Sequence, residues 1–248
     1  MQIIFLAAGK GTRIYNDIKK NKCLIKLQGK TLIRRLIENA TKNKIKKINI
    51  VVGFKKEEIF KETKKYKINY IVNDQYKTTE MLHSLILAIK EINDDLIISY
   101  TDIIYESRVL DLIKKEKKKH LTIPILLDWK KIWTIRNKPI SEDVESLKVK
   151  NEFLTEIGKK VFDESEVQGQ YMGLLYIPKS IRNRIIKYYL SGRNKKQHLT
   201  QFINNFIKIS KCKVIPVNKF WYEFDDFQDL KNFKKKFLIN DKNKFIEK

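Results

Sequence analysis

The chain has 248 residues, of which 42% are hydrophobic and 33% are charged, and its formal net charge is +24. This hydrophobic fraction supports a packed core and excludes a disordered chain, while 8 Gly and 4 Pro exclude collagen-like and low-complexity sequences. The length fits a single domain over 1–248.

Strands and helices alternate along the first hundred residues. Apolar runs predict strands at 2–7, 45–52, 68–72 and 95–100, and helical spacing predicts helices at 30–43, 55–64 and 79–92. This alternation indicates an α/β fold with a doubly wound, mixed but mostly parallel sheet and helices on both faces. Ligands of such sheets bind at the carboxyl ends of the strands, where segments 8–13, 73–84 and 101–105 are expected.

The second half of the chain is less regular. Apolar runs predict strands at 121–127, 170–177 and 213–217, and helices are expected at 179–190, at 198–209 and from 226 onward. Residues 128–158 show no clear period. We interpret 128–175 as a small insertion that forms an acceptor-binding lobe within the single domain.

The positive charge has two interpretations. It could attract nucleic acid, an anionic membrane or acidic small molecules, or it could be a compositional bias. The chain has 45 Lys but only 8 Arg, and the lysines are scattered over every predicted helix. Since nucleic-acid contacts favour Arg, we prefer the bias and expect no nucleic-acid partner.

Cysteine usage and hydropathy indicate the compartment. Cys23 and Cys212 lack the spacing of a zinc site, which favours a reduced, cytoplasmic protein. The N-terminus does not have the pattern of a signal peptide, and no apolar run reaches the ~18 residues of a membrane span. We therefore expect no membrane association.

A glycine-containing loop follows the first strand. Gly9 and Gly11 allow the backbone to turn tightly so that amide groups can face an anion, and Lys10 and Arg13 add positive charge there. The spacing is neither that of the Rossmann fingerprint nor that of a Walker loop. Taken alone, such a turn fits any phosphate ligand or an ordinary strand-to-helix connection.

The complete segment from Leu6 to Arg13 resembles the signature L-A-A-G-x-G-T/S-R of the sugar-phosphate nucleotidyltransferase superfamily. Lys22 matches the lysine that follows this loop in the family. Four further segments resemble the small cytidylyltransferases that act on phosphocholine, 2-aminoethylphosphonate or phosphoglutamine. They are 73–76 with Ser84-Leu85, 100–103, 170–174 and 222–225. The resemblance spans residues 2–230 and implies a Rossmann-like nucleotidyltransferase fold.

The resemblance implies a magnesium-dependent site. Arg13, Lys22 and Asp102 are the expected catalytic residues, and Asp102 and Asp225 are the expected metal ligands. Mg²⁺ favours one or two carboxylates together with phosphate oxygens, and it offsets the repulsion between reacting phosphates. Asp226 is an alternative ligand, although it could equally cap the final helix. His83, His120 and His198 are expected to be bystanders. His83 is the exception to watch, because it lies beside Ser84 in the base-side segment, which is the part of 73–84 expected to face the base of the nucleotide.

The expected nucleotide-binding residues lie at the ends of the first, third and fourth strands. They are Leu6, Ala7, Ala8, Gly9, Lys10, Gly11, Thr12, Arg13, Lys22, Asn73, Thr79, Ser84 and Thr101. The expected acceptor-binding residues are Glu80, Trp133, Arg136, Glu145, Gln170 and Tyr171, with Asp143 also considered. Glu80 departs from the Asn that many of these enzymes carry: it could select a cationic amino group, or favour the dipole of its helix as an N-terminal acid.

The implied reaction transfers CMP from CTP to a small phosphorylated or phosphono metabolite and releases pyrophosphate. In such families it serves the modification of surface polysaccharides with phosphonates or phosphoramidates. CTP and the phospho-acceptor are the expected partners, and the choice between monomer and homodimer stays open. The alternatives are a sugar-1-phosphate uridylyl- or thymidylyltransferase, a nucleotide-binding regulatory module and an RNA-binding protein.

Overall fold

The computed structural model describes residues 1–116, 119–139, 144–192, 194–240 and 245–248. Within these residues a ten-stranded sheet forms the centre of the molecule. The strands are β1 Gln2–Ala7, β2 Lys26–Leu27, β3 Lys30–Thr31, β4 Ile48–Val52, β5 Ile68–Val72, β6 Leu96–Tyr100, β7 Ile103–Tyr105, β8 Leu121–Leu126, β9 Glu145–Lys150, β10 Phe153–Lys160, β11 Gln170–Tyr171, β12 Leu174–Ile177, β13 Cys212–Val217, β14 Trp221–Glu223, β15 Phe237–Ile239 and β16 Phe245–Glu247.

Helices cover both faces of the sheet. Those within the described residues are α1 Thr12–Ile18, α2 Leu32–Lys42, α3 Lys56–Thr63, α4 Met81–Glu91, α5 Arg108–Lys115, α6 Trp129–Arg136, α7 Arg182–Leu190, α8 Leu199–Phe206 and α9 Phe227–Lys236. Short 3₁₀ turns occupy Lys22–Leu24, Glu164–Glu166, Lys179–Ile181 and Asn194–Lys196. In the part of the chain that the structure describes, we find no helix with the length and apolarity of a membrane span.

The sheet confirms the predicted mixed, mostly parallel arrangement. Its order is β5-β4-β1-β6-β12-β8-β13-β10-β9, and β11 pairs with β8. The neighbouring strands β5, β4, β1 and β6 run parallel to one another. Strand β12 is antiparallel to β6 and β8, and β13 is parallel to β8. The carboxyl ends of β1, β5 and β6 therefore point to the same edge.

Two apolar clusters form the core, one on each face of the sheet. Alternate residues of β1 point to opposite faces, so that Ile3 and Phe5 belong to one cluster and Ile4 and Leu6 to the other. The first cluster includes the apolar stripe of α2, and the second includes that of α4. This double coverage explains why the sequence of β1 is apolar throughout rather than alternating.

The structure corrects three predictions for the second half of the chain. No helix or strand was predicted within residues 128–158, where the sequence shows no clear period, but α6, β9 and most of β10 lie there, and these two antiparallel strands extend the central sheet. The single strand expected at 170–177 is divided into β11 and β12 at Gly173, where φ is +69°. The helix expected from 226 onward ends at Lys236 and is followed by the β15–β16 hairpin.

Candidate active site

A cavity of about 460 Å³ lies at the carboxyl ends of β1, β5 and β6, which is the edge at which the sequence predicts a ligand. The predicted nucleotide-binding residues line it, apart from Lys10 and Thr12. The ammonium of Lys10 lies 4.7 Å from the centroid of the Tyr15 ring, and Thr12 begins α1. The predicted acceptor-binding residues that line the same cavity are Glu80, Glu145, Gln170 and Tyr171.

A buried side chain holds the glycine loop after β1. The amide nitrogen of Asn21 donates to the carbonyls of Ala7, Gly9 and Phe54, at 3.2, 3.4 and 3.2 Å. Its amide oxygen accepts from the backbone N–H of Cys23 at 3.1 Å, which begins the 3₁₀ turn that carries Lys22. Asn21 therefore fixes the loop and the position of the lysine together.

Gly11 has a backbone conformation that favours glycine, with a φ of +64°. A Cβ added there would lie 2.6 Å from Cγ and 2.8 Å from Cδ of Lys22. We expect Gly11→Ala to destabilise the protein by about 1–2 kcal/mol, and therefore to lower Tm by about 2–8 °C. Differential scanning calorimetry without nucleotide would measure this loss.

Gly9 offers a matched control for that substitution. It lies in the same loop, its φ is not in the left-handed region, and a Cβ added there meets nothing within 4 Å. Gly9→Ala is therefore expected to leave Tm within about 1 °C of wild type. Equal losses in both variants would contradict the assignment of Gly11 as the constrained position.

Three carboxylates converge beside this loop. Oxygens of Asp102, Glu223 and Asp225 all lie within 4.8 Å of one another. Asp102 follows β6, and β7 pairs antiparallel with β14, which places Glu223 opposite Ile103. The N–H of Phe224 also donates to the Asp102 carbonyl at 2.9 Å. A two-stranded sheet thus brings together carboxylates that are distant in the sequence.

On the cavity side, two cations contact these carboxylates. Nζ of Lys22 donates to Oδ2 of Asp102 and to Oδ1 of Asp225, at 3.1 Å in each case. Nη2 of Arg13 donates to the same Oδ1 of Asp225 at 3.0 Å. The side chain of Lys22 is 12% exposed and that of Arg13 is 59% exposed. Lys22 is therefore enclosed by the cluster, whereas Arg13 remains accessible to a ligand in the cavity.

The pKa values of two carboxyl groups in the cluster are shifted in opposite directions. Burial would raise the pKa of Asp225, but Lys22, Arg13 and Arg136 lower it to about 2, so this group is a carboxylate at neutral pH. Burial, together with the charges of Asp225 and Asp102, raises the pKa of Glu223 well above its usual range. Burial lowers the pKa of Lys22, but Asp102 and Asp225 outweigh it and raise that pKa.

The donor set fits a hard divalent cation. Asp102, Glu223 and Asp225 offer oxygen atoms only, which Mg²⁺ prefers over nitrogen or sulfur. Asp226, the alternative ligand, lies elsewhere: its carboxylate accepts from the N–H of Asp229 at 2.9 Å and caps α9. The structure therefore brings Asp225 rather than Asp226 into the cluster.

Trp133 and Arg136 do not line the cavity, although the sequence predicted that they bind the acceptor. Both lie on α6, where Trp133 is 3% exposed in the core and Arg136 is completely buried. Nη2 of Arg136 donates to Oδ2 of Asp225 at 3.0 Å, so the guanidinium lies behind the carboxylate cluster. The third residue considered in that segment, Asp143, lies outside the described residues.

The base-side segment forms a polar network at the end of β5. The amide nitrogen of Asn73 donates to Oγ1 of Thr79 at 3.2 Å and to Oγ of Ser84 at 3.0 Å. The hydroxyl of Thr101 donates to the Leu6 carbonyl at 2.9 Å and so links the ends of β1 and β6. These contacts hold the predicted nucleotide-binding residues in a fixed arrangement.

The three histidines occupy different environments. Nδ1 of His83 lies 2.6 Å from the Tyr189 hydroxyl, and the ring of His120 lies 5.5 Å from that of Phe153. These contacts are consistent with packing roles. His198, in contrast, lines the cavity, and its Nδ1 lies 3.5 Å from a carboxylate oxygen of Glu80.

A further wall of the cavity is formed by β9, β11 and the first turn of α8. The hydroxyl of Thr200 donates to Oε1 of Glu145 at 3.3 Å. The rings of Tyr171 and Tyr100 meet edge to face with centroids 5.9 Å apart. A Cβ on Gly173 would lie 2.9 Å from the Tyr100 ring, so glycine is required for this packing.

Several residues of the cavity wall were not predicted from the sequence. Asn21, Glu223, His198 and Thr200 line the cavity in addition to the predicted residues. Glu223 could have been found, because it lies two positions before Asp225 in the same motif. His198 and Thr200 offered no such signal, since they reach the cavity only through the packing of α8 on the sheet.

Comparisons with known proteins show which family the chain resembles. Residues 3–124 match the MobA-like NTP transferase domain family. A CTP:phosphoglutamine cytidylyltransferase from Campylobacter jejuni is 30% identical over an alignment of 250 positions, which includes 93% of this chain and 98% of that protein. The bifunctional protein GlmU of Methanococcus maripaludis is 27% identical over all of this chain, which spans 56% of that protein.

Solved structures share the fold at lower identity. The inositol-1-phosphate CTP transferase from T. maritima has a TM-score of 0.75 and 16% identity, over 92% of this chain and 90% of that one. The CTP:phosphocholine cytidylyltransferase from Streptococcus pneumoniae has a TM-score of 0.69 and 22% identity, over 93% and 96%. The predicted fold is thereby confirmed. Because the Campylobacter relative is 30% identical and is covered almost end to end, the chain belongs to the family of nucleotidyltransferases that includes this cytidylyltransferase.

Proposed function

We propose that this nucleotidyltransferase transfers CMP from CTP to a small phosphorylated or phosphono acceptor, with Mg²⁺ as cofactor. The observation that carries the proposal is the convergence of Arg13, Lys22, Asp102 and Asp225 beside the glycine loop, at the carboxyl ends of β1 and β6. The choice of CTP is supported by the Campylobacter relative, which is a CTP:phosphoglutamine cytidylyltransferase.

The reaction is a substitution at the α-phosphorus of the nucleotide. An oxygen of the acceptor phosphate forms a bond to this phosphorus, the bond to the bridging oxygen of the β-phosphate breaks, and pyrophosphate leaves with that electron pair. No protein nucleophile is required. The task of the chain is to hold two anionic reactants together and to stabilise the charge that develops between them.

Arg13 and Lys22 supply this stabilisation from the protein. Arg13 is exposed to the cavity and can donate two parallel hydrogen bonds to phosphate oxygens. Lys22 is a compact cation held between Asp102 and Asp225, beside the place that the triphosphate would occupy. The loop 8–13 can contribute backbone N–H groups at the same place.

Asp102, Asp225 and Glu223 would hold the magnesium ion. When bound, Mg²⁺ neutralises phosphate charge and polarises the phosphorus that is attacked. Asp102 and Asp225 are the ligands that the sequence predicted, and Glu223 joins them in the structure. Lys22 keeps these carboxylates close together and limits their repulsion.

The acceptor is proposed to have an anionic phosphoryl or phosphono end and a cationic amino end. Glu80 and Glu145 line the cavity outside the three-carboxylate cluster and could receive the cation, while Gln170 and Tyr171 offer neutral polar groups. Phosphoglutamine, aminoethylphosphonate and phosphocholine have this chemistry. The proposal places the product in the modification of capsular or other surface polysaccharides, and the reaction in the cytoplasm.

An acceptor screen tests the proposal. The protein is incubated with Mg²⁺, each of the four common NTPs and a panel of phosphorylated amines, amino acids and sugars, and pyrophosphate release is measured. We expect release with CTP and an amine-bearing phospho-acceptor. Release only with UTP or dTTP and a sugar phosphate would select the alternative activity, and no release with any pair would contradict the proposed function.

A further inference from the structure

Arg136 is a fully buried arginine whose planar group joins two aspartates. Nε donates to Oδ1 of Asp229 at 2.9 Å, and Nη2 donates to Oδ2 of Asp229 at 3.0 Å. The same Nη2 donates to Oδ2 of Asp225 at 3.0 Å. The guanidinium also lies 4.7 Å from the centre of the Trp133 ring. These contacts give the side chain a fixed orientation.

In this arrangement the two carboxylate oxygens of Asp225 have different hydrogen-bond partners. Oδ2 accepts from Arg136 on the buried side, whereas Oδ1 accepts from Lys22 and Arg13 on the cavity side. The backbone N–H of Asp225 donates to Oδ2 of Asp229 at 2.9 Å. Asp229 thus holds the backbone of Asp225 directly and its carboxylate through Arg136.

We propose that Arg136 is a positioning residue, which orients Asp225 so that Oδ1 faces the cavity as a metal ligand. The inference rests on the proposed function, because it assigns a purpose to the same site. Arg136 has no exposed surface, so it acts through Asp225 rather than on a substrate. Groups that orient metal ligands from behind commonly contribute about 10- to 100-fold to metal affinity.

The shape of arginine is required for this role, in addition to its charge. The flat guanidinium reaches both oxygens of Asp229 and one oxygen of Asp225 at the same time. A lysine would keep the positive charge near Asp225 but could not make the paired contacts with Asp229. Arg136→Lys therefore separates the orientation of the carboxylate from the electrostatic field at the metal site.

The test is Mn²⁺ binding to the full chain, measured by electron paramagnetic resonance without nucleotide. We expect Arg136→Lys to weaken Mn²⁺ binding about 10-fold. Asp229→Asn keeps an oxygen for the backbone N–H groups and leaves Arg136 charged, but it removes one of the two oxygens to which Arg136 donates. We therefore expect it to weaken Mn²⁺ binding as well. The matched control is Asn232→Ala, which removes an α9 contact to the Arg136 carbonyl at 2.9 Å and leaves Asp225 untouched.

Thermal unfolding shows which of the variants fold. If Arg136→Lys does not fold, the Mn²⁺ affinity of Asp229→Asn is the result that decides the test. Mn²⁺ affinity within twofold of wild type in a folded variant would overturn the proposal. An equal loss in Asn232→Ala would also overturn it, because the effect would then come from α6–α9 packing. The Mn²⁺ measurement contains no substrate, so it does not depend on the proposed reaction. A failure of cytidylyl transfer would be detected separately, as an absence of pyrophosphate release in the acceptor screen.

Discussion

Asp102→Asn is expected to lower kcat by at least about 100-fold, which corresponds to about 2.7 kcal/mol of transition-state stabilisation. The substitution keeps the size of the side chain but removes the charge that faces Lys22 at 3.1 Å. It also removes one of the three carboxylates that could hold Mg²⁺. Steady-state pyrophosphate release at saturating CTP and acceptor measures the effect.

The fold should survive this change. The backbone carbonyl of Asp102 accepts from Phe224, and the pairing of β7 with β14 involves backbone groups only, so neither depends on the carboxylate. We expect an unfolding midpoint close to that of wild type. EDTA should abolish the wild-type activity, and added Mg²⁺ should restore it in wild type but not in the variant.

The adjacent aspartates at the end of β14 provide a matched comparison. Asp225→Asn should reduce kcat as strongly as Asp102→Asn, because Asp225 contacts Lys22, Arg13 and Arg136. Asp226→Asn should leave kcat within about twofold, since asparagine caps a helix as well as aspartate does. A strong loss at Asp226 together with normal activity at Asp225 would reverse the assignment of the metal ligand.

The first half of the fold could be predicted from the sequence because local and tertiary signals agree there. β1 and β5 have the predicted bounds, while β4 begins at Ile48 rather than at residue 45 and β6 begins at Leu96 rather than at residue 95. Each of these strands is a short apolar run with a turn signal after it. Since the carboxyl ends of parallel strands share an edge, the grouping of Arg13, Asn73 and Asp102 followed from the pattern.

The second half resisted prediction for physical reasons. β9 lies at the edge of the sheet and alternates exposed and buried residues imperfectly, so that its sequence has no clear period. α6 has only eight residues and buries two tryptophans beside a charged arginine. Its amphipathic pattern depends on Arg136 being neutralised by Asp225 and Asp229, which are distant in the sequence.

The same distance limited the prediction of site residues. Arg136 was assigned to the acceptor because a mixture of aromatic, cationic and acidic groups suits a phosphorylated amine or amino acid, whereas the structure pairs it with buried aspartates. Glu223 was not predicted, although it lies only two positions before Asp225 in the same motif. Side-chain partners that come from opposite ends of the chain leave no local signal in a single sequence.

Lys22→Met is expected to lower kcat/KM about 100-fold, the loss typical of removing one preorganised group that stabilises transition-state charge. Methionine keeps much of the apolar stem beside Gly11 but has no cation to place among the carboxylates. Although burial opposes it, the attraction of Asp102 and Asp225 raises the pKa of Lys22, so the ammonium is charged throughout the assay range. A loss confined to high pH would therefore contradict this account.

Lys20→Met is the control that separates position from overall charge. Lys20 is exposed and lies two residues before Lys22, so both substitutions change the net charge of +24 equally. If the basic field of the whole chain attracts the nucleotide, both variants should lose activity in proportion to that shared change. If the site acts as proposed, Lys20→Met stays within about twofold of wild type, because only Lys22 lies between Asp102 and Asp225.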